Sequence, residues 1–371
     1  MKKAALVLIL MLAVLPAKAK DCAVPTAYQP KWAKSFSFEY GPGYKVLKIL
    51  SPWQNSGTTH QFLIAQSCAV IPKKYSEIER IPTNPKRVVA LSTTYLPFFS
   101  ILGLEDRLVG AVDRMWVNAA WARERIKKGQ TKTFGPEITD HLEELLSTQP
   151  DLVMGFGLSE KVAKEKAQLK RLGLVMILSA AHLEDSPLGR AEWVLAFASI
   201  FDLEAKAEAH MVRVAAEYLA LAKQVAQVKA RPTVFVGSEY KGIWYLPGGL
   251  TYQAKIVADA GGDYLWGDSK LRGSHHLDFE AVLEKAADAQ FWINAGRRTD
   301  LSDLQGGRFQ GFKAIREGRV FNYVKRLNPE GGNDYWETGS AYPNRMLKDL
   351  VKILHPQLLP GHELYWYRRL Q

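Results

Sequence analysis

An α/β fold of two lobes, each with a parallel-type sheet flanked by helices, is what the sequence predicts, and three observations predict it. From Arg87 onward, apolar strand-like and helix-like runs alternate, as in "RVVALS", "YLPFFSILGL" and "RLVGAVD". Strands that are apolar throughout and separated by helices belong to a parallel sheet covered on both faces. Between about 186 and 230 the alternation stops and helix follows helix; it then resumes, from "TVFVGS" through "QFWINA" and "RVFNY" to "AYPNRMLKDLVKIL". A repeated passage marks the two halves. "HLEELLSTQPDLVMG" (141–155) and "DFEAVLEKAADAQFWIN" (278–294), aligned on Glu143 and Glu280, share two apolar residues soon after the glutamate and an aspartate eight positions on. Each half therefore contains the same helix-to-strand unit.

The elements follow in order. "MKKAALVLILMLAVLPAKAK" reads as a signal peptide, with a charged start at Lys2 and Lys3, an apolar stretch from Ala4 to Leu15 and an A-x-A site at Ala17–Ala19. Its apolar run is shorter than the roughly 20 residues of a membrane span. Cleavage after Ala19 removes Lys2, Lys3 and Lys18 and no acid, so the mature chain stays basic. "SFSFEY", "YKVLKIL" and "HQFLIAQ" are β-like and broken by Gly-containing turns, which predicts an added N-terminal β segment. After the first lobe, Ser186 is an N-cap with Pro187 at the first helical position, and two helices run from there to Arg231-Pro232. The expected organisation is a leader at 1–19, a first lobe with its β segment at 20–184, a helical linker at 185–230 and a second lobe at 231–371.

Composition narrows the function classes. The formal charge is +11 but dispersed, and no Lys/Arg block of the nucleic-acid-binding kind is present. Cys22 and Cys68 are the two cysteines; in an oxidising compartment one disulfide is the simplest reading. Two free thiols and a lipid-modified Cys22 are the alternatives, and Lys20-Asp21 makes a poor lipid-processing site. An enzyme is disfavoured by the lack of G-x-S-x-G, H-E-x-x-H, P-loop and C-x-x-C patterns. Neither a catalytic set nor a resident cofactor is expected.

Several stretches together carry a resemblance. "PKRVVALSTTYLPFFSILGLEDRLVGA", "HLEELLSTQPDLV", "GGDYLW", "FEAVLEKAADAQFWI", "FKAIREGRVF" and "NDYWETG", in this order, resemble the periplasmic substrate-binding proteins of ABC importers for iron complexes and vitamin B12. The resemblance covers Ile81 to His355. It implies one long helix between the lobes, a ligand cleft between them, a periplasmic monomer, and an inner-membrane permease dimer as partner. It also implies that acids at matching positions, here Glu143 and Glu280, dock on permease arginines, one per lobe. The N-terminal β segment and the loop "KRLNPEGGNDYWETGS" depart from smaller members.

In open α/β sheets, ligands gather outside the carboxyl ends of the strands. The loops expected there hold Arg114, Arg272, Arg297, Arg298 and Arg326, with Tyr95, Trp116, Trp244, Tyr245, Trp266, Tyr335 and Trp336. Arginine suits carboxylate, catecholate or phosphate oxygens, and the aromatic rings suit flat ligands. Five arginines favour an iron-siderophore complex, with a cobalamin-like corrinoid or haem next; iron or cobalt then arrives inside the ligand. A bare metal ion is the weaker alternative, since only His141, His275 and His276 could approach the cleft.

Overall fold

The computed structural model describes residues 22, 24–157, 160–304 and 307–371; the predicted leader at 1–19 lies outside them. The chain opens with an antiparallel meander, β1 (Phe36–Gly41), β2 (Tyr44–Leu50) and β3 (Thr59–Ala65), and β4 (Glu79–Arg80) adds parallel to β3. Alternation sends Phe36, Phe38, Leu47, Ile49, Phe62 and Ile64 into the core of the first lobe. Tyr44, Val46 and Leu63 face the other way and meet Tyr75. A disulfide joins Cys22 to Cys68, 46 positions apart, with Cα atoms 5.8 Å apart.

The first lobe runs β5 (Val88–Ala90), α1 (Leu96–Leu102), β6 (Leu108–Val112), α2 (Ala120–Lys127), β7 (Lys132–Phe134), α3 (Leu142–Ser147), β8 (Leu152–Phe156), α4 (Lys161–Arg171) and β9 (Met176–Ser179). Its sheet has the order β7-β6-β5-β8-β9, parallel throughout. The inner strands β5 and β8 are apolar on both faces because each face has its own core. Val88, Ala90, Leu152 and Met154 pack toward α1 and the central helices, whereas Val89, Val153 and Leu178 pack with Leu145 of α3 and Leu169 of α4.

Two helices tie the lobes together. In α5 (Pro187–Ala198), capped by Ser186, whose hydroxyl accepts from the Gly189 N–H at 3.0 Å, Leu188 joins the second core and Ala191 to Ala198 the first. After a turn at Asp202, α6 (Glu204–Val225) runs back: Ala207 and Met211 pack in the first core, Val214, Tyr218, Leu221 and Val225 in the second. The linker is thus a helical hairpin rooted in both cores.

The second lobe continues with β10 (Thr233–Val236), β11 (Ser238–Tyr240), β12 (Ile243–Pro247), α7 (Tyr252–Asp259), β13 (Asp263–Tyr264), β14 (Ser274–Leu277), α8 (Phe279–Ala286) and β15 (Phe291–Ile293). It closes with α9 (Lys313–Arg316), β16 (Val320–Asn322), α10 (Asp334–Glu337), α11 (Pro343–Leu354) and β17 (Arg368–Arg369). β13, β10, β15 and β16 form a parallel sheet edged by antiparallel β17. "GIWYLP" is a strand as expected but leaves this sheet for an antiparallel one, β11-β12-β14. The cause is local: Lys241 and Gly242 both have positive φ (53° and 80°), the backbone of a two-residue hairpin turn. Residues 274–277, which the sequence leaves among the post-strand loops, form β14 by pairing antiparallel with the other edge of β12.

Buried carboxylates fix both ends of the described chain. Glu192 of α5 accepts the N–H groups of Lys31 (2.9 Å), Trp32 (2.7 Å) and Ala33 (2.7 Å). Asp349 of α11, wholly buried, accepts those of Tyr365 and Trp366, each at 2.8 Å.

Candidate functional site

A cavity of about 770 Å³ lies between the lobes, at the carboxyl ends of both parallel sheets. From the first lobe, Leu91, Ser92 and Thr93 enter it after β5, Val112, Met115 and Trp116 at and after β6, and Gly155 and Phe156 at the end of β8. Val162 and Glu165 of α4 complete that side. From the second lobe come Gly296 and Arg297 after β15 and Tyr323 and Val324 after β16, followed by Leu327, Glu330, Asn333 and Trp336. The lining is mainly apolar and aromatic. Trp116, 42% exposed, and half-buried Trp336 stand on opposite lobes, and Trp336 is braced edge-on by Tyr323 (5.3 Å) and Tyr335 (5.0 Å).

The predicted residues divide clearly. Trp116, Arg297 and Trp336 line this cavity. Four aromatics do not, because they pack in cores. Trp244 is fully buried against Phe235 and Trp292, being the inward side of the β12 alternation. Trp266 packs against Tyr264, Tyr335 stacks on Tyr323 at 4.5 Å, and the Tyr95 hydroxyl donates to the Gly155 carbonyl at 2.7 Å. Tyr245 faces outward beside His276. Arg272 lies 3.7 Å from Asp185, and Arg298 donates to the Ala295 carbonyl and sits 5.4 Å from the Phe309 ring. Arg114 and Arg326 line a neighbouring cavity instead. Of the histidines, His141 pairs with Glu144 and His275 with Ser269. Among the described residues no group of three or more His, Cys, Asp or Glu is placed to hold a metal ion.

The segment 328–340 straps the second lobe to the first. The Asn328 side-chain amide donates to the Met115 and Val117 carbonyls, both at 2.9 Å. Glu330 accepts from Arg114 and Arg123, each at 2.6 Å. Glu337 accepts the N–H groups of Asn118 (2.8 Å) and Ala119 (2.7 Å), capping α2 from the other lobe. On the far side the β2–β3 turn meets both lobes: a Cβ at Gly157 would collide with the Pro52 carbonyl, and one at Gly273 would lie 2.9 Å from the Gln54 amide. These contacts favour a preformed cleft.

Two carboxyls here are perturbed. Partial burial, reinforced by Glu137, raises that of Glu165. Burial, with Asp334 nearby, pushes Glu337 up to about 8 against the backbone N–H groups that favour its charge. A carboxyl raised in the folded state contributes stability fully at low pH. As pH rises from its ordinary value of 4.5 toward 8 the unfolded chain ionises first, so that contribution is lost. Glu337→Gln, which keeps an acceptor oxygen but cannot ionise, is therefore expected to flatten the fall in unfolding free energy between about pH 5 and about pH 8. Urea titrations across that range read the slope; an unchanged slope would assign the fall to other groups.

Glu143 and Glu280 are both exposed, in the first turns of α3 and α8, and among the described residues neither has an ion-pair partner.

Two sheets facing one cavity across a helical hairpin are the architecture of a bilobal binding protein. Residues 88–327 match the profile of the periplasmic binding protein family, and the chain belongs to that family. It consists of exported solute-binding proteins that work with ABC transporter permeases. An uncharacterized lipoprotein of Methanocaldococcus jannaschii is 28% identical over 295 residues, 76% of this chain and 68% of its own. The structure of a possible iron-binding periplasmic solute-binding protein from Staphylococcus epidermidis matches with a TM-score of 0.58 at 18% identity, covering 74% of this chain and all of that one. A periplasmic heme binding protein from Pseudomonas aeruginosa matches with a TM-score of 0.55 at 19% identity, covering 73% and 93%. Both share the fold.

Proposed function

We propose that the protein captures a ready-made metal complex of the flat macrocyclic kind, a haem or a corrinoid, in the interlobe cavity and delivers it to an ABC importer without acting on it chemically. The observation that carries this reading is the lining: apolar and aromatic walls between Trp116 and Trp336, with Arg297 as the cationic side chain among the lining residues. A polyanionic siderophore, favoured when five arginines are placed at the cleft, finds fewer counter-charges there. The iron-binding and heme-binding names of the structural relatives agree with this class of ligand. Delivery is assigned to Glu143 and Glu280 as docking groups, one per lobe, on a monomer released to the periplasm by cleavage of its leader.

Haemin and cyanocobalamin test the reading. Either should quench tryptophan fluorescence saturably at one per chain, whereas zinc or manganese ions alone should not. Arg297→Ala is expected to weaken haemin, which carries two carboxylates, by about 1.5–3 kcal/mol for the lost charge-assisted contact. Cyanocobalamin, which has no net charge, should be little affected. Binding of a free divalent ion with no response to either macrocycle would overturn the proposal.

A further inference from the structure

The neighbouring cavity, about 850 Å³, lies between α2 of the first lobe and the β16–α10 connection of the second. Its walls carry Arg114, Arg123, Lys127, Lys325 and Arg326, against Glu124 and Asp334. The acids nearby do not neutralise this set. One carboxylate, Glu330, serves both Arg114 and Arg123. Asp334, 3.1 Å from Arg326, also accepts from the Trp366 indole at 2.8 Å. Glu124 pairs with Lys128, and Lys127 has no ion-pair partner among the described residues. The cations are also held in place: the Arg326 guanidinium lies 4.3 Å from the Tyr365 ring centre, and Arg123 donates to the Val117 carbonyl at 3.0 Å. Fixed guanidinium groups beside lysine ammonium groups, concave and in excess over acids, are the chemistry that recognises oxyanions.

We propose that this cavity is a second binding site, separate from the interlobe cleft, for a small oxyanion with two or more negative charges. Both lobes contribute cations, so the occupant bridges them. It also competes with Glu330 for Arg114 and Arg123, and Glu330 lines the cavity proposed for the macrocycle as well.

The test uses the mature protein with inorganic pyrophosphate and with citrate, against sodium chloride at matched ionic strength. Pyrophosphate or citrate should bind saturably at one per chain by calorimetry and raise the unfolding midpoint where chloride does not; which of the two binds tells a phosphate site from a carboxylate site. Lys127→Gln/Arg326→Gln should lower that affinity about tenfold or more, as two charge-assisted contacts are lost. Lys127→Glu, at an exposed residue without an ion pair, gives the same reading should the double variant fold poorly. Stabilisation no greater than that by chloride, or unchanged affinity in Lys127→Glu, would overturn the proposal.

Discussion

Glu143→Arg/Glu280→Arg is expected to bind its ligand as the parent does while supporting about tenfold less transporter-dependent uptake, or lower still. A permease built from two related subunits favours related contacts on its partner, and the helix-to-strand unit is repeated, α3–β8 in one lobe and α8–β15 in the other. Both glutamates sit in first helical turns and are solvent-exposed. Their interaction with the helix ends is worth only about 0.3–1 kcal/mol each at such sites, so folding should tolerate their loss. Reversal at one lobe should give a partial defect, and reversal at both should place like charges face to face. Ligand titration alongside uptake in cells carrying the cognate permease checks this. Normal uptake by the double variant would leave the repeat as a product of the fold alone.

The second large effect is on stability. Asp349→Ala is expected to lower the unfolding free energy by at least about 3 kcal/mol, because buried donors lose a charged acceptor. The Asp349 carboxylate takes the N–H groups of Tyr365, Trp366 and Tyr367 and faces His362. It thereby seats the last segment, whose Trp366 and Tyr367 fill the second core and whose β17 edges the sheet. Asp349→Asn should cost less, since it keeps one acceptor oxygen. Urea unfolding followed by tryptophan fluorescence measures both; a loss below about 1 kcal/mol in the alanine variant would show that water replaces the carboxylate.

The lobes and their linker are legible in the sequence because their strands and helices meet the same physical demand wherever they fall. A strand such as 88–90 must be apolar at every position, since Val88 and Ala90 face one core and Val89 another. The linker reads as helix because residues on α5 and α6 fill two cores in turn. The site is less legible. Alternation in "IWYLP" says that Trp244 and Tyr245 point opposite ways, but not which of them faces the core. The positions of Arg114 and Arg326 depend on Glu330 and Asp334, and Glu330 lies 216 positions from Arg114. Val162 and Glu165 reach the cavity from a helix face whose outlook is set only when the lobes come together. Tyr323 follows β16 and Phe156 ends β8, positions that the strand ends already mark, and their exposure to the cavity is decided by neighbours such as Tyr335 and His182.

Native mass spectrometry of the protein isolated from its own host identifies what the interlobe cavity carries. One adduct per chain is expected, with a mass that contains iron or cobalt together with its macrocycle, and it should be lost in Trp116→Ala/Trp336→Ala. A bare metal-ion adduct, or a metal complex retained undiminished by that double variant, would contradict the proposed capture of a macrocycle between these tryptophans.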